Sequence, residues 1–150
     1  MNAEIDAVRV AMTEDGPVPV VVLAPEDDED VLPIFIGFEE AVSIARGMEA
    51  EDIGRPLTHD LLLDVMEELG GRVTRVVVSA LEDNTYIADL HLDTARDSTV
   101  VDARPSDSLA LVARTNAPIE VEDEVFENGR RAREEFEELQ DIREVAELGL

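Results

Sequence analysis

The hydrophobic period changes from two to about 3.6 and back again along this chain, and that constrains its fold more than any single residue. Residues 4–12 alternate apolar and polar, as a half-buried strand does. Residues 18–23 are Val-rich and read as a second strand, with Pro19 predicting an edge position or a late start. Residues 31–36 read as a third. From about 39 to 50 the spacing turns helical, through Ala41, Ile44, Ala45 and Met48. Thr58 suits the N-cap of a second helix with Leu61, Leu62, Val65 and Leu69 on one face, and Gly70-Gly71 stops it. Period two returns at 73–81 and 85–92, a hairpin around Glu82-Asp83-Asn84, followed by a short strand at 99–101. Pro105 suits the first turn of a third helix carrying Leu109, Val112 and Ala113, which Asn116-Ala117-Pro118 ends. Ile119 and Val121 form a last short strand. The pattern predicts an α+β fold: one compact domain, a mostly antiparallel or mixed sheet and three packed helices.

The domain is expected over residues 1–128, with 129–150 as a charged amphipathic C-terminal helix. Phe126, Phe136, Leu139, Ile142, Val145 and Leu148 fall mainly at three-residue steps. Such a stripe packs on the protein's own body or on a second subunit.

With 150 residues there is room for one core, and with 3% aromatics that core must be aliphatic. Having no cysteine, the chain has no disulfide, thiolate metal site or Cys nucleophile. No apolar run approaches the roughly 20 residues of a membrane span. The N-terminus lacks the basic-then-apolar order of a signal peptide, so a cytoplasmic location is expected. The charge is extreme: 37 acidic residues against 12 basic ones, all of them Arg, for a net charge of −25. In about 1 M salt the Debye length falls to about 3 Å and most of that repulsion is screened. Acid spread along a chain without lysine is the pattern expected of a salt-in, halophilic, archaeon-like source.

Three polar segments sit where secondary structure begins. Glu39 and Glu40 follow a strand at the start of a helix, where carboxylates complement the helix dipole. His59 falls at the start of the second helix, as a general base, a metal ligand or a structural hydrogen-bonder. The third segment gathers Asp102, Arg104, Ser106, Asp107 and Ser108 between a strand end and a helix start. Backbone N–H groups there favour an anion such as phosphate, and an arginine can clamp it in bidentate fashion. Asp102 and Asp107 suit a divalent cation or the orientation of a nucleophile. A self-contained Arg–Asp network at a capped helix is the plainer reading of the same residues. His91 alternates with strand residues and reads as a sheet residue.

The segments PIFIGFEEAVSIA (33–45), RPLTHDLL (55–62), TYIADLHL (85–92) and DARPSDSLALVAR (102–114) resemble the bifunctional nuclease family, in the right order over residues 5–128. The resemblance implies a compact α+β fold, cleavage of RNA and DNA, and self-association, most simply as a dimer. It lands on Glu40, Arg55, His59, Asp102, Arg104, Ser106 and Asp107. Ser108 stands where an alanine is common in the family.

The nuclease expectation gives His59 general acid–base work and Arg104 charge stabilisation. Arg55 and Ser106 bind substrate, and Glu40, Asp102 and Asp107 hold Mg²⁺ or Mn²⁺ or position water. RNA or single-stranded DNA is the partner. A −25 chain repels a polyanion, so binding has to rest on local arginines such as Arg55, Arg104, Arg72 and Arg75. Tyr86 is the only tyrosine and Trp is absent, so no aromatic platform for bases is expected. The alternatives are a non-enzymatic regulatory module whose pocket takes a small anion or a partner's carboxylate, and a structural oligomer joined through the C-terminal stripe.

Overall fold

A computed structural model describes residues 1–49 and 57–146. Arg55 lies outside the described residues. The described chain forms an eight-stranded mixed sheet and six helices, an α+β domain as the alternating periods predict.

β1 (Asn2–Thr13) and β2 (Gly16–Pro25) form an antiparallel hairpin, with Gly16 taking a positive φ at the turn. β3 (Leu32–Phe35) pairs with β2, and α1 (Phe38–Glu49) follows. After α2 (Thr58–Glu68) come β4 (Arg72–Glu82) and β5 (Thr85–Asp93), joined by Asp83 and Asn84, both left-handed, as a two-residue hairpin requires. β6 (Ser98–Ala103) pairs with β5 and leads into α3 (Pro105–Thr115), which Asn116 closes in the left-handed conformation. β7 (Ile119–Val121) runs parallel to β4 and antiparallel to β1, stitching the two hairpins together in the order β3-β2-β1-β7-β4-β5-β6.

Alternation explains the core. Val21, Leu23, Val76, Val78, Ala88 and Leu90 point to one face, against Ala41 and Ile44 of α1 and Leu109 and Val112 of α3. Val20, Val22 and Ala24 point to the other and meet Phe136. β2 is therefore buried on both sides, which accounts for its unbroken apolar run. Gly47 lets α1 and α3 approach closely; a Cβ there would lie 2.9 Å from that of Ala113.

Four expectations are revised. Pro19 lies in an interior strand, but β3 reaches only as far as Val20, so Pro19 loses no ladder bond on that side; its carbonyl accepts from Ile36 N–H. Thr58 is not the cap of α2: Leu57 is, and the Asp60 carboxylate reaches back to accept from Leu57 N–H at 3.1 Å. The face of Leu61, Leu62, Val65 and Leu69 is exposed, and Leu63 and Met66 pack on the core instead. The end of the chain is broken into pieces: α4 (Asp123–Gly129), α5 (Glu134–Glu137), β8 (Gln140–Asp141) against β1, and α6 (Ile142–Ala146). Phe126, Phe136 and Ile142 are buried in the body itself, so these stripe residues are core and not an interface. Leu148 lies outside the described residues.

Candidate functional site

The start of α1, the start of α2 and the start of α3 meet on one side of the sheet. Each brings one group that the spacing singled out. At the first, Gly37 makes room for Glu40: a Cβ there would collide with Glu40 Oε2. The carboxylate can therefore fold back over the strand–helix junction. At the third, Arg104 is the N-cap and Pro105 opens the helix with fixed φ, so Ser106 and Asp107 fall in its first turn.

Asp107 is the centre of the arrangement. Its Oδ1 accepts from His59 Nε2 at 3.0 Å, and its Oδ2 accepts from Arg104 Nε at 3.2 Å. Arg104 also reaches Glu40 Oε1 at 3.5 Å. On the other edge of the imidazole, one proton lies between His59 Nδ1 and Ser43 Oγ, 2.6 Å apart. Arg114 NH2 donates to that same oxygen at 3.2 Å, while its Nε donates to Asp60 at 2.6 Å. A continuous chain of contacts thus runs Arg114–Ser43–His59–Asp107–Arg104–Glu40.

Electrostatics follow from these contacts. Burial pushes the Asp107 carboxyl up, but the bonds from His59 and Arg104 outweigh it and hold it below the ordinary value. Asp60 behaves in the same way, with Arg114 and the Leu57 N–H outweighing burial. The bond to Asp107 raises the Arg104 guanidinium further, so it stays charged.

Two hollows open on this cluster and share Glu40 and Arg104. One, of about 330 Å³, is lined by Glu39, Ser43, Thr58, His59 and Asp107. The other, of about 470 Å³, is lined by Phe35, Ile36, Asn84, Tyr86, Pro105 and Ser106. Phe35 is half exposed there. An aromatic wall therefore exists beside Arg104, against the expectation from composition: a strand end and a hairpin bring Phe35 and Tyr86 together.

Of the expected residues, Glu40, His59, Arg104, Ser106 and Asp107 come together. Asp102 does not. It pairs directly with Asp89, and Asp89 with Val77, on the sheet face opposite the one that Val76, Val78 and α3 share. Arg72 and Arg75 are tied to Asp93 and Glu120 and line neither hollow. His91 pairs with Arg75 within the sheet, as its alternation predicts. The expected Mg²⁺ or Mn²⁺ set does not fit this arrangement. Among the described residues no three His, Asp or Glu side chains gather around one point, and the Arg104 guanidinium already bridges Glu40 and Asp107.

Sequence reasoning missed Ser43 and Arg114, and with them the bond that Asp60, which reads as a helix-dipole partner beside His59, accepts from Arg114. The signal was helical spacing. Ser43 lies three residues after Glu40, and Arg114 seven after Asp107, each pair on one helix face.

Comparison with known proteins agrees with the motifs. The bifunctional nuclease domain model matches residues 21–134. An uncharacterised protein of Mycobacterium tuberculosis is 37% identical over 123 residues, covering 82% of this chain and 73% of its own. Bifunctional nuclease 2 of Oryza sativa subsp. japonica is 30% identical over 112 residues, 72% of this chain and 34% of that protein. Bifunctional nuclease 2 of Arabidopsis thaliana is 29% identical over 71% of this chain and 33% of its own. The chain thus spans about a third of these plant proteins. These relatives are bacterial and plant proteins and lend no support to a halophilic, archaeon-like source. Among the described residues, no helix is long and apolar enough to cross a membrane. With its domain match covering most of the chain, the protein belongs to the bifunctional nuclease domain family.

Proposed function

We propose that this protein hydrolyses phosphodiester bonds of RNA or single-stranded DNA at the mouth formed by His59, Arg104 and Asp107. One observation carries the reading: Asp107 touches an imidazole and a guanidinium at once, beside an open hollow of about 330 Å³ with room for a phosphate and the sugar attached to it. The plant relatives' names, and the family model, favour the same chemistry.

In this mechanism the phosphate displaces Asp107 from Arg104, whose fork neutralises charge on the phosphorane. The freed Asp107 carboxylate takes a proton from the attacking water as its oxygen bonds to phosphorus. Protonated His59 gives its Nε2 proton to the leaving oxygen as the P–O bond breaks. The proton on Asp107 then passes to His59 Nε2 across their hydrogen bond, and the pair is reset. Arg114 and Ser43 hold the ring in place. Phe35 and Tyr86 stack a base in the neighbouring hollow, which favours unpaired strands over duplex. Ser106, which lines that hollow, orients the sugar–phosphate, and Arg55 supplies a second cation. The enzyme works in the cytoplasm, and its surface acid repels a polyanion less as salt screens it.

The test is cleavage of RNA and of single-stranded DNA in molar KCl, by wild type and His59→Ala together. The variant should lose about 10²–10⁴-fold of the activity. A wild type that cuts neither polymer, or a variant that cuts as well as wild type, ends the enzymatic reading. An Arg104-dependent anion affinity without cleavage would instead favour the non-enzymatic module.

A further inference from the structure

We propose that the preferred substrate is a short oligonucleotide of two or three nucleotides, lying across both hollows with one phosphodiester on Arg104, and that long strands are cut less readily. This rests on the phosphodiester reading and narrows its substrate.

The two hollows meet at Glu40 and Arg104, which line both. A phosphate on the Arg104 fork therefore has space for a nucleoside on either side. The two spaces differ in lining. The hollow of about 470 Å³ is walled by Ile34, Phe35, Ile36, Pro105 and Tyr86, which suits a base. Tyr86 is held from behind: its hydroxyl packs against Gly129, where a Cβ would collide with it. The hollow of about 330 Å³ is lined by Ser43, Thr58, His59 and Asp107, which suits a sugar and the leaving oxygen. Stacking pays only for a base that reaches an aromatic ring. Phe35 and Tyr86 stand in the same hollow, so that gain is complete with the first nucleotides.

Length adds phosphates, and the site has little to bind them with. Among the described residues, Arg104 is the one arginine that lines either hollow. With Arg55 as the second cation, the site answers two phosphates. Once the first phosphate takes Arg104, Glu40 loses the cation that it shares. Beyond the hollows the rim is acidic. Glu39 is exposed at the smaller one. Glu82 and Asp83 are exposed at the turn that leads into Asn84 and Thr85 of the larger one. Glu82 is the cross-strand partner of Thr85, so its carboxylate stands on the same face of the hairpin. Further phosphates leaving either hollow meet carboxylates, on a chain of net charge −25. Each added nucleotide then brings repulsion and no contact. Proteins that hold long strands work the other way, with basic contacts along the backbone supplying most of the affinity.

The test compares UpU, UpUpU and their thymidine counterparts with uridine and thymidine strands of about twenty nucleotides, across KCl from about 0.1 M to about 1 M. Far-ultraviolet circular dichroism follows the fold at each salt. Per phosphodiester bond, kcat/KM should be at least about tenfold higher for the short substrates at about 0.1 M KCl. The gap should shrink to about threefold or less at about 1 M, because the long strands gain from screening. Glu82→Lys should raise cleavage of the long strands at least about threefold at low salt and leave UpU within about twofold. Phe35→Ala should lower kcat/KM for UpU about tenfold. Long strands cut as well per bond as UpU at low salt overturn the inference. So do long-strand rates that fall as salt rises, a Glu82→Lys variant that does not change them, or a Phe35→Ala variant that cuts UpU like wild type. If long strands are cut and short ones are not, this inference fails and the phosphodiester reading stands. If substrates of every length stay intact, both fail.

Discussion

Arg104 and Arg114 stand at opposite ends of α3 and do different work. Arg114 has a side chain only 8% exposed, and every nitrogen of its guanidinium is used, by Asp60, by the carbonyls of Ser43 and Ala110, and by the Ser43 hydroxyl. Its task is to lock α1, α2 and α3 together. Arg104 is 66% exposed and held only by two carboxylates from the side. Surface pairs of that kind are worth little, so an incoming phosphate can replace them. A residue type therefore does not define a role; the number of partners already bound to it does. The same contrast separates Asp60, closed in by backbone and arginine, from Asp107, which opens on a hollow.

The sharpest way to break this comparison is to exchange the two effects. Arg104→Ala should lower cleavage by about 10²–10³-fold while stability stays within about 0.5 kcal/mol. Arg114→Leu should cost about 3 kcal/mol of stability, because it strands the part-buried Asp60. Denaturant midpoints and cleavage rates on both variants give the answer. If Arg104→Ala unfolds the protein, or Arg114→Leu leaves it as stable as before, the assignment of roles is reversed.

Much of the fold was legible because its signals are local. The turns at Gly16 and at Asp83-Asn84, and the start of α3 at Pro105, depend on backbone preferences that a short window contains. What failed depended on neighbours. The apolar stripe of α2 carries no sign of which flank the core will take, and Leu63 and Met66 won that place. Asp102 and Arg104 are two residues apart, but the strand ends between them, so period two does not carry over into the helix. His59 and Asp107 were visible as candidates because each begins a helix. Ser43, which bonds His59, and Arg114 behind it sit mid-helix and at a helix end, where nothing in composition marks them.

Acid separates the two carboxylates next. Both titrate below their ordinary value of 3.8 in the folded protein. Each therefore adds stability that is full above about pH 4 and is lost as the pH falls through the lowered value. Asp60→Asn should flatten this acid limb more than Asp107→Asn, since Asp60 bonds a buried arginine at 2.6 Å, whereas Asp107 bonds the exposed Arg104 at 3.2 Å. Denaturation midpoints between about pH 5 and pH 2 test this, and an equal effect of the two would remove the distinction.

Two buried serines provide the gentlest test. Ser43 Oγ accepts from Arg114 and shares a proton with His59, whereas Ser108 Oγ, fully buried where the family commonly has alanine, has no partner among the described residues. A buried hydroxyl without a bond costs about 1–3 kcal/mol of desolvation, and removing it with its cost is close to neutral or stabilising. Ser108→Ala should therefore raise stability by about 1 kcal/mol and leave cleavage unchanged. Ser43→Ala should lower stability by a similar amount, and should also lower cleavage, since the imidazole loses the contact that fixes its ring. Melting curves of the two variants should move in opposite directions from wild type. If Ser108→Ala destabilises, its hydroxyl is bonded after all, and the first turn of α3 is held by more than Arg104, Asp107 and their partners.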